Sequence, residues 1–381
     1  MRALVTGGAG LIGSHIVDLL LREGWDVRVL DSLEPQTHRQ GLPTWSDPRA
    51  QLCRGSVTDP AALREALDGI DVVFHEAAYG GYMPDIAKYF HVNSYGTALL
   101  LEIIRDDRLP VRKVLVASSQ VVYSEGAAVC RQHGRVFPAT RPLEQLQRGD
   151  WEVHCPACGE VTSPTAMPED APIGGGDFPY ILTKVDTERM TLAWGRQTGI
   201  PTVALRYSCT YGPRQSIFNP YTGVIAIFAT RLLAGQPPVL YEDGNQTRDF
   251  CFVEDIAQAN LLAATSDALD GQPVNVGSGV ATTIRDVARM VADGLGVAID
   301  PVARGEFRPG EIRYLTSDIA RARAIGYRPS TGIADGIARY LDWIRTQGDV
   351  RDYFAAAEQV LRERGIVRRV GAGSSGVGDG A

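Results

Sequence analysis

Three glycines near the start of the chain restrict its fold more than any other feature. In "LVTGGAGLIGSH", Gly7, Gly10 and Gly13 form a G-x-x-G-x-x-G pattern after a β-branched run, and a helical stretch follows from about Ser14 to Glu23. The first glycine permits a tight turn, the second lets the backbone approach a pyrophosphate, and the third lets the helix pack closely on the strand. The segment therefore predicts the first β–α unit of a dinucleotide-binding fold, with phosphate at the helix N-terminus.

Short β-branched runs alternate with helical stretches through the first half of the chain. The runs are "RALVTG", "DVRVLD", "DVVFHEAA", "KVLVASS" and "TVALRYS". Such alternation predicts a parallel sheet with helices on both faces. From about Tyr207 the sequence becomes irregular and rich in Pro and Gly, with short helices expected at about 222–234, 254–266 and 283–295. We therefore predict an α/β fold: a Rossmann-type doubly wound parallel sheet with a smaller C-terminal substrate-binding lobe.

The domain boundaries follow from this division. We expect the dinucleotide-binding domain over 1–206, with 250–275 returning to it, and the lobe mainly over 207–345. A C-terminal helix is expected over 346–366. The last stretch, 367–381, is rich in Gly and Ser and has almost nothing to bury, so it is predicted to be disordered.

Composition narrows the choice of partner. The chain has 381 residues and a formal net charge of -7, which argues against nucleic acid or an anionic membrane and favours a small soluble ligand. The N-terminal residues lack the apolar region of a signal peptide. The chain also has no run of about 18 apolar residues, which is the length needed to span a bilayer. We therefore expect a cytoplasmic protein whose six cysteines are reduced thiols or metal ligands.

An acidic residue at the end of the second strand indicates which dinucleotide binds. Asp31 lies 31 − 10 = 21 residues after Gly10, where a carboxylate can accept hydrogen bonds from both hydroxyls of the adenosine ribose. The same carboxylate would repel a 2′-phosphate. The next two positions, Ser32 and Leu33, provide no arginine to bind that phosphate. The sequence therefore favours NAD over NADP.

A tyrosine and a lysine in "YILTK" form a candidate catalytic pair. The i, i+4 spacing places Tyr180 and Lys184 on one face of a helix, although such pairs are about equally common on surface helices without a function. The segment "VASSQVVYS" ends an earlier strand of the same α/β unit, and ligands bind at the carboxyl ends of strands in open sheets. This second observation favours a site.

These motifs occur in a specific order, and over about residues 1–345 the chain resembles an extended short-chain dehydrogenase/reductase of the nucleotide-sugar epimerase/dehydratase family, closest to the 4-epimerases. The matching segments are the glycine loop, "VFHEAA", "NSYGT", "SSQVVY", "YILTK", "LRYSCTYGPRQ", "RDFCFVEDIAQA", "NVGSG" and "FRPGEIR". The resemblance implies that Ser119, Tyr180 and Lys184 are catalytic. It also implies a nucleotide-diphosphate sugar as substrate and a homodimer formed through the helices that follow "NSYGT" and carry "YILTK".

The resemblance implies two further sets of residues. The NAD-binding set is Gly7, Gly10, Leu11, Ile12, Gly13, Asp31, Ser56, Val57, Ala77, Ala78, Asn93, Tyr180 and Lys184. The substrate-binding set is Tyr82, Ser119, Gln120, Cys209, Asn219, Arg248, Arg308 and Glu311. Asn93 is open to a second interpretation as a buried structural asparagine.

Three residues depart from the family pattern. Ser56 stands where the family usually has an Asp near the adenine, and Cys209 replaces an Asn that often contacts the diphosphate. Glu76 replaces an apolar residue, and it is either a buried structural carboxyl or a group of the site. These departures put the corresponding contacts in doubt.

The family's chemistry requires a base, because a sugar hydroxyl must lose a proton as its carbon gives up hydride. A tyrosine has a pKa of about 10, and lowering it by about three units requires about 4 kcal/mol of preferential stabilisation of the phenolate. The Lys184 ammonium and the positive nicotinamide are the groups expected to supply it.

The two positions after the catalytic serine distinguish the family's reactions. Dehydratases carry Asp-Glu there, decarboxylases a Glu and 3,5-epimerases a Cys, whereas this chain has Gln120 and Val121. The slot holds no acid or base, which favours a 4-epimerase that oxidises and re-reduces sugar C4. A nucleotide-sugar reductase or dehydratase of the same family, or a non-catalytic NAD-binding partner protein, remain alternatives.

An insertion lies between Ser119 and Tyr180, which are 180 − 119 = 61 residues apart, and we place it at about 125–170. It contains Cys130-x-x-His133-Gly and Cys155-x-x-Cys158-Gly, four ligands that suit a tetrahedral structural Zn²⁺ with no open position. Other interpretations are two turns of reduced cysteines, a redox C-x-x-C at 155–158, and His154 as a ligand.

The charge of the module argues against nucleic acid as its partner. Over 130–160 four arginines balance four acids, so the predicted zinc-binding module lacks a basic stripe for nucleic acid. A lid over the sugar site or a dimer contact fits this charge better.

Overall fold

A computed structural model of the chain describes residues 1–35, 37–81, 85–123, 125–174, 176, 178–219, 223–348 and 350–371. Tyr82, which the sequence predicts to contact the sugar, and the end of the predicted tail lie outside these residues. No helix in the described part of the chain is long and apolar enough to cross a membrane.

The strands, in chain order, are β1 (Arg2–Thr6), β2 (Asp26–Asp31), β3 (Gln51–Arg54), β4 (Val72–His75), β5 (Lys113–Ser119), β6 (Ala128–Cys130), β7 (Gly134–Val136), β8 (Ser163–Pro164), β9 (Thr202–Tyr207), β10 (Cys209–Tyr211), β11 (Val239–Leu240), β12 (Thr247–Phe252), β13 (Gln272–Val276), β14 (Ala281–Thr283), β15 (Val302–Ala303), β16 (Glu306–Phe307), β17 (Tyr314–Leu315) and β18 (Arg368–Arg369).

The α-helices, in chain order, are α1 (Leu11–Arg22), α2 (Pro60–Leu67), α3 (Ile86–Tyr89), α4 (Gly96–Asp106), α5 (Leu143–Gln147), α6 (Pro179–Thr198), α7 (Val224–Leu233), α8 (Val253–Thr265), α9 (Ile284–Leu295), α10 (Ala320–Ala324), α11 (Ile333–Arg345) and α12 (Phe354–Glu363). A π-helical turn, Phe90–Tyr95, joins α3 to α4, and short 3₁₀ helices span Gln120–Val122 and Asp267–Leu269.

Seven parallel strands form the main sheet, in the order β3-β2-β1-β4-β5-β9-β13. Strands β4 and β5 are buried along their whole length, because helices cover both faces. Helices α1 and α8 pack on one face, and α2 and α4 pack on the other. The strand order reverses between β1 and β4, and ligands bind at the carboxyl ends of strands beside such a reversal. This arrangement confirms the predicted doubly wound sheet.

The second sheet is built around β12. This strand is parallel to β10 and β17 and antiparallel to β14. Helices α7, α9 and α11 bury their apolar faces over it, with Phe228, Val291 and Leu341 among the core residues. The sheet and these helices form the smaller lobe beside the main sheet.

Two segments differ from the expected boundaries. Within 250–275, α8 and β13 join the main sheet, but residues 250–252 complete β12 in the lobe. At the C-terminus, β18 pairs with β16, and Val367 packs in a cluster with Phe354 and Leu361. The described start of the stretch 367–381 is therefore ordered, contrary to the prediction, because Val367 has an apolar cluster to join.

The insertion forms a small module between β5 and α6. Strand β6 pairs antiparallel with both β7 and β8, and α5 lies between β7 and β8 in the chain. After β8, Met167 forms a parallel bridge to Ser317 next to β17. The module is therefore joined to the lobe through backbone pairing.

Candidate active site

A cleft of about 920 Å³ lies at the carboxyl ends of the main-sheet strands. It is of the size usual for small-molecule sites. Of the predicted NAD-binding residues, the cleft is lined by Gly7, Gly10, Leu11, Ile12, Gly13, Asp31, Ser56, Val57, Ala77, Ala78, Tyr180 and Lys184. The fold therefore brings together residues from the glycine loop, three strand ends and α6.

The glycine loop has the shape that close approach of a ligand requires. Gly7 adopts φ +68°, a conformation that residues with a Cβ rarely adopt, and its amide donates to the Leu30 carbonyl at 2.8 Å. A Cβ on Gly13 would lie 2.3 Å from the Gly7 carbonyl oxygen, so only glycine lets α1 begin this close to the loop. The amides at the start of α1 suit a phosphate group, and the loop thus fits a dinucleotide.

Asp31, the last residue of β2, is held in this cleft by two backbone amides. Its Oδ2 accepts a hydrogen bond from the Ala9 amide at 3.0 Å, and its Oδ1 accepts one from the Leu33 amide at 2.8 Å. None of the described residues that line the cleft is an arginine. The carboxylate is therefore fixed in position, and no described residue of the cleft lining supplies a guanidinium for a 2′-phosphate.

Asn93 is the one member of the predicted NAD-binding set that does not line the cleft. It is 2% exposed, and its side chain accepts a hydrogen bond from the Tyr79 amide and donates to the Tyr79 carbonyl and Thr183 Oγ1. All three contacts are with protein groups. The geometry favours the structural interpretation of Asn93, which supports the cleft wall at Tyr79.

The predicted catalytic trio meets in the same cleft. Ser119 is the last residue of β5, and α6 begins with Pro179, whose fixed φ suits a first helical turn. Tyr180 and Lys184 therefore lie in the first two turns of this helix. Lys184 Nζ lies 5.8 Å from the centroid of the Tyr180 ring and donates to the Ala117 carbonyl at 2.7 Å.

Burial controls the pKa values of the pair. Desolvation raises the pKa of Tyr180 to about 12, and the Ser119 hydroxyl opposes part of that increase. Desolvation lowers the pKa of Lys184 to about 8, while the negative charge of Glu76 raises it. Without an added positive charge the pair is thus held as a neutral phenol beside a readily deprotonated amine.

Glu76 is a third titratable group in this part of the cleft. Desolvation raises its pKa to about 7, against the effects of a hydrogen bond from Tyr207 and the charge of Lys184. Its Oε1 accepts the Tyr207 hydroxyl at 2.8 Å, and its Oε2 is buried with no hydrogen-bond partner among the described residues. Because Glu76 lines the cleft, it belongs to the site, and its bond to Tyr207 also gives it a structural role.

The described members of the substrate-binding set divide into three groups. Ser119 and Asn219 line the cleft. Gln120 and Cys209 are not among the residues that line the cleft; Gln120 Nε2 donates to Cys209 Sγ at 3.3 Å, and burial raises the pKa of the Cys209 thiol to about 11. A neutral thiol and an amide cannot act as a general base near pH 7.

Three charged residues of the set form a cluster beside the cleft. Arg248 Nη2 bonds Glu311 Oε1 at 2.5 Å, and Arg308 Nη1 lies 3.4 Å from Glu311 Oε2. The Arg308 guanidinium also stacks 4.4 Å from the Tyr241 ring centroid. Arg248 lies on β12, whose Phe250 pairs with Cys209, and the residues on either side of Cys209, Ser208 and Thr210, line the cleft. We name Arg248, Arg308 and Glu311 the arginine cluster.

The Cys and His side chains of the insertion converge as predicted. Ligand atoms of Cys130, His133, Cys155 and Cys158 all lie within 4.8 Å of one another. Cys130 Sγ is 3.7 Å from Cys158 Sγ and 3.5 Å from His133 Nδ1. Zinc–sulfur bonds of about 2.3 Å give a tetrahedron with edges of about 3.8 Å, so the spacing fits zinc. His154 instead bonds Asp150 and the Gly159 carbonyl, which argues against its alternative assignment as a ligand.

The sequence did not reveal several residues of the cleft. Tyr79, Lys88 and His91 line it from the segment around α3, and Gln215 and Ser216 line it from the loop after β10. None of them belongs to a motif with a fixed spacing, and the fold alone brings them to the cleft.

The comparisons with known proteins agree with this geometry. The chain matches the sequence model of the "NAD dependent epimerase/dehydratase family" over residues 3–143 and 155–277, and the break between these ranges falls inside the insertion. A dTDP-L-rhamnose 4-epimerase of Burkholderia thailandensis is 33% identical, with 91% of this chain and 96% of that protein covered. A dTDP-glucose 4,6-dehydratase of Streptomyces antibioticus is 29% identical, with 91% and 92% covered.

Solved structures give the same result. The crystal structure of a Thermus thermophilus UDP-glucose 4-epimerase in complex with NAD superposes with a TM-score of 0.71 and 31% identity, covering 91% of this chain and 100% of that one. The resemblance inferred from the motifs is thereby confirmed. The chain belongs to the NAD-dependent epimerase/dehydratase family of nucleotide-sugar enzymes.

Proposed function

We propose that the protein is an NAD-dependent nucleotide-sugar 4-epimerase. The observation that carries this proposal is the combination of Ser119, Tyr180 and Lys184 at one end of the cleft with Gln120 and Val121 in the positions that follow the serine. An amide and an apolar side chain cannot move a proton at carbon. The chemistry left to the trio is oxidation and re-reduction at one hydroxyl-bearing carbon.

NAD, when bound, supplies the hydride acceptor for this reaction. The glycine loop and the N-terminus of α1 would hold its pyrophosphate, and Asp31 would accept both hydroxyls of the adenosine ribose. Lys184 would hold the nicotinamide ribose. The fixed carboxylate of Asp31 is the feature that favours NAD over NADP.

Tyr180 would accept the proton of the sugar C4 hydroxyl as hydride leaves C4, and would return it after the 4-keto sugar has turned its opposite face to the cofactor. Burial holds the pKa of Tyr180 at about 12, so positive charge must stabilise the phenolate. The Lys184 ammonium and the nicotinamide cation are the charges available. Ser119 would link Tyr180 to the substrate hydroxyl.

The arginine cluster would bind the diphosphate of the substrate. Arginine offers a planar fork of donors that suits phosphate oxygens, and both guanidinium groups are organised by the single carboxylate of Glu311. Asn219 lines the cleft and would contact the phosphate or the sugar. This assignment makes nucleotide-diphosphate sugars the substrate class.

The insertion would hold a structural Zn²⁺ on Cys130, His133, Cys155 and Cys158. All four positions of the tetrahedron are protein atoms, so no place remains for a reacting water. A reducing compartment such as the cytoplasm would keep these thiols available for the metal.

A homodimer would form through α4 and α6. Leu182 on α6 and Tyr95, which ends the π-helical turn just before α4, are exposed apolar residues, 38% and 45% exposed, respectively. A shallow depression between the helices is lined by Ser94, Tyr95, Ala98, Asp186, Arg189 and Met190. Light scattering of the purified protein tests the dimer.

Incubation with a panel of UDP-, dTDP-, GDP-, CDP- and ADP-sugars, followed by NMR for inversion at C4, tests the epimerase. The dTDP-rhamnose and UDP-glucose arms come first, because relatives are named for these substrates. Inversion without net consumption of NAD, absent in Tyr180→Phe, is the expected result. Tight NAD binding without inversion of any sugar would overturn the proposal.

A 4,6-dehydratase is the second candidate, because Glu76 adds a carboxyl beside Tyr180 and Lys184 and a named dehydratase is among the relatives. The same NMR assay would show a 4-keto-6-deoxy sugar instead of an epimer. A reductase would consume NAD(P)H in stoichiometric amounts. A non-catalytic partner protein would keep its biological activity as Tyr180→Phe.

A further inference from the structure

Arg141, from the middle of the insertion, is buried in the substrate lobe. It is 4% exposed, and its guanidinium bonds Glu125 Oε1 at 2.8 Å and both oxygens of Glu242 at 3.0 Å. It also donates to the Trp151 carbonyl at 2.9 Å and to the Glu311 carbonyl at 2.7 Å. All three guanidinium nitrogen atoms of Arg141 thus donate hydrogen bonds, some to the lobe and some to the insertion itself.

A second arginine completes this buried network. Arg313 is fully buried and bonds Glu242 Oε2 at 3.1 Å and Asp243 Oδ2 at 2.9 Å. It also bonds Glu152 Oε1 at 3.1 Å, and the Tyr314 hydroxyl donates to Glu152 Oε2 at 2.8 Å. A buried charge is costly unless it has charged or hydrogen-bonding partners. Loss of one member of the network therefore leaves another charge buried without its partner, which destabilises the fold.

The backbone at Glu242 indicates that the network is held under constraint. Glu242 adopts φ +52°, which residues other than glycine rarely occupy. Its carboxylate is fully buried and forms ion pairs with two arginines, Arg141 from the insertion and Arg313 from the lobe. Such backbone strain persists where the surrounding contacts over-determine it, and it is concentrated at functional sites.

The network reaches the metal ligands at one end. Trp151 and Glu152, which bond Arg141 and Arg313, lie just before Cys155 in the chain. The Cys155 amide donates to the Glu160 carbonyl at 2.8 Å, which closes the second knuckle. A metal that fixes Cys155 therefore restricts the segment that packs on the two arginines.

The network reaches the arginine cluster at the other end. Arg141 holds the backbone carbonyl of Glu311, and the side chain of Glu311 bonds Arg248 and Arg308. Strand register places Arg248 near the cleft, because Phe250, two residues after Arg248, pairs with Cys209, whose neighbours Ser208 and Thr210 line the cleft. The position of Glu311 therefore depends on a side chain from the insertion.

We infer that Arg141 is a positioning residue, which couples the Cys/His centre to the arginine cluster so that an intact metal centre sets the affinity for the substrate diphosphate. The inference rests on the proposed function, since it takes the arginine cluster as the diphosphate site. It assigns no chemistry to the insertion. Its effect is on diphosphate binding and leaves the NAD cleft, which Arg141 does not line, unchanged.

The test compares Arg141→Gln with Arg141→Lys and with the control Arg135→Gln, which changes an exposed arginine of the same module. The affinities for dTDP, UDP and NAD are measured by calorimetry, the zinc content by mass spectrometry, and kcat and KM with the sugar identified in the panel. For Arg141→Gln we expect about tenfold weaker nucleoside diphosphate binding and a matching rise in KM. The kcat, the NAD affinity and the zinc content should stay near wild type, and Arg141→Lys should recover only part of the loss, because it lacks the planar fork of donors.

Removal of the metal from the wild-type protein with a chelator, under reducing conditions, provides a second test if Arg141→Gln does not fold. We expect the same loss of dTDP or UDP affinity with NAD affinity retained. Nucleoside diphosphate affinity within about twofold of wild type, in folded Arg141→Gln or in metal-free protein, would overturn the inference.

The variant Arg248→Gln distinguishes failure of the coupling inference from failure of the proposed function. Loss of nucleoside diphosphate binding in Arg248→Gln alongside unchanged binding in Arg141→Gln would overturn only the coupling. A wild-type protein that binds none of UDP, dTDP, GDP, CDP and ADP would overturn both proposals.

Discussion

The Tyr207 hydroxyl donates a hydrogen bond to Glu76 Oε1 at 2.8 Å and accepts one from Asn260 Nδ2 at 2.8 Å. The Glu76 carboxyl is thus held in the wall of the cleft that contains Tyr180 and Lys184. Its negative charge raises the pKa of both groups. The ionisation of Glu76 therefore bears on the proton transfer proposed for Tyr180.

Glu76→Gln should move the pH dependence of the reaction. Without the Glu76 charge the pKa of Tyr180 falls, so the rise in kcat/KM with pH should occur at lower pH than in the wild-type enzyme. The pH profile of epimerisation measures this shift. Glu34→Gln, which changes another carboxyl of the cleft that bonds Lys88, is the control and should keep the wild-type profile. Identical profiles for Glu76→Gln and wild type would contradict a role in proton transfer.

Glu76 should also make the stability of the fold depend on pH. Folding raises its pKa from 4.5 to about 7, so the folded state binds more protons than the unfolded state between these values. The contribution of the protonated carboxyl to stability is complete below about pH 4.5 and is lost as the pH rises through 7. Urea unfolding across this range should show a flatter pH dependence for Glu76→Gln. A slope equal to that of wild type would show that Glu76 is not the titrating group.

The main sheet could be predicted from the sequence only where its strands are buried on both faces. The β-branched runs of β1, β2, β4, β5 and β9 produce a strong signal, whereas β3 and β13 were missed. Strand β3 ("QLCR") is at the sheet edge with only Cys53 buried, and β13 ("QPVNV") begins with polar and proline residues. Edge strands need few apolar residues, so their composition resembles that of a loop.

The candidate site shows the same limit. Motifs with fixed local spacing, such as Tyr180 and Lys184, were predicted because one helix holds both residues. The Glu76–Tyr207 bond joins positions 131 residues apart, and the Arg141–Glu242 pair joins positions 101 apart. Contacts of this kind depend on how the insertion and the strands fold together, and no local pattern encodes them.

Tyr180→Phe should remove the proton acceptor and leave the cleft intact. General acid–base groups contribute about 10²–10⁴-fold, so we expect epimerisation to fall by that factor while NAD affinity stays near wild type. Steady-state rates and NAD calorimetry measure the two effects. Tyr79→Phe, which changes another tyrosine of the same cleft, whose hydroxyl bonds Asp85, is the matched control and should retain activity. An active Tyr180→Phe enzyme would refute the assignment of the base.

Glu188→Gln should destabilise the support beneath the catalytic residues. Glu188, one turn after Lys184 on α6, bonds Arg206 through both oxygens at 2.5 and 2.9 Å and accepts the Ser118 hydroxyl at 2.7 Å. Removal of its charge leaves Arg206 buried without an ionic partner, at a cost of about 3–5 kcal/mol in the free energy of unfolding. Urea titration measures this cost.

Glu254→Gln is the control for this prediction, since Glu254 pairs with Arg339 at the surface, where both side chains are nearly half exposed. The control should change the unfolding free energy by less than about 0.5 kcal/mol. Equal effects of the two substitutions would mean that the buried pair contributes no more than a surface contact.

Cys155→Ser should release the metal of the insertion. Cys155 is buried, and its Sγ lies 3.6 Å from His133 Nδ1, so a single serine breaks the proposed four-ligand set. We expect about one zinc per chain in the wild-type protein and almost none in the variant, by mass spectrometry of protein purified without added metal. The segment from 130 to 160 should become sensitive to protease, because the metal no longer closes the two knuckles. Cys53→Ser, which changes a buried cysteine in β3 outside the cluster, should retain the zinc. Full zinc content in Cys155→Ser would show that the four-ligand assignment is wrong.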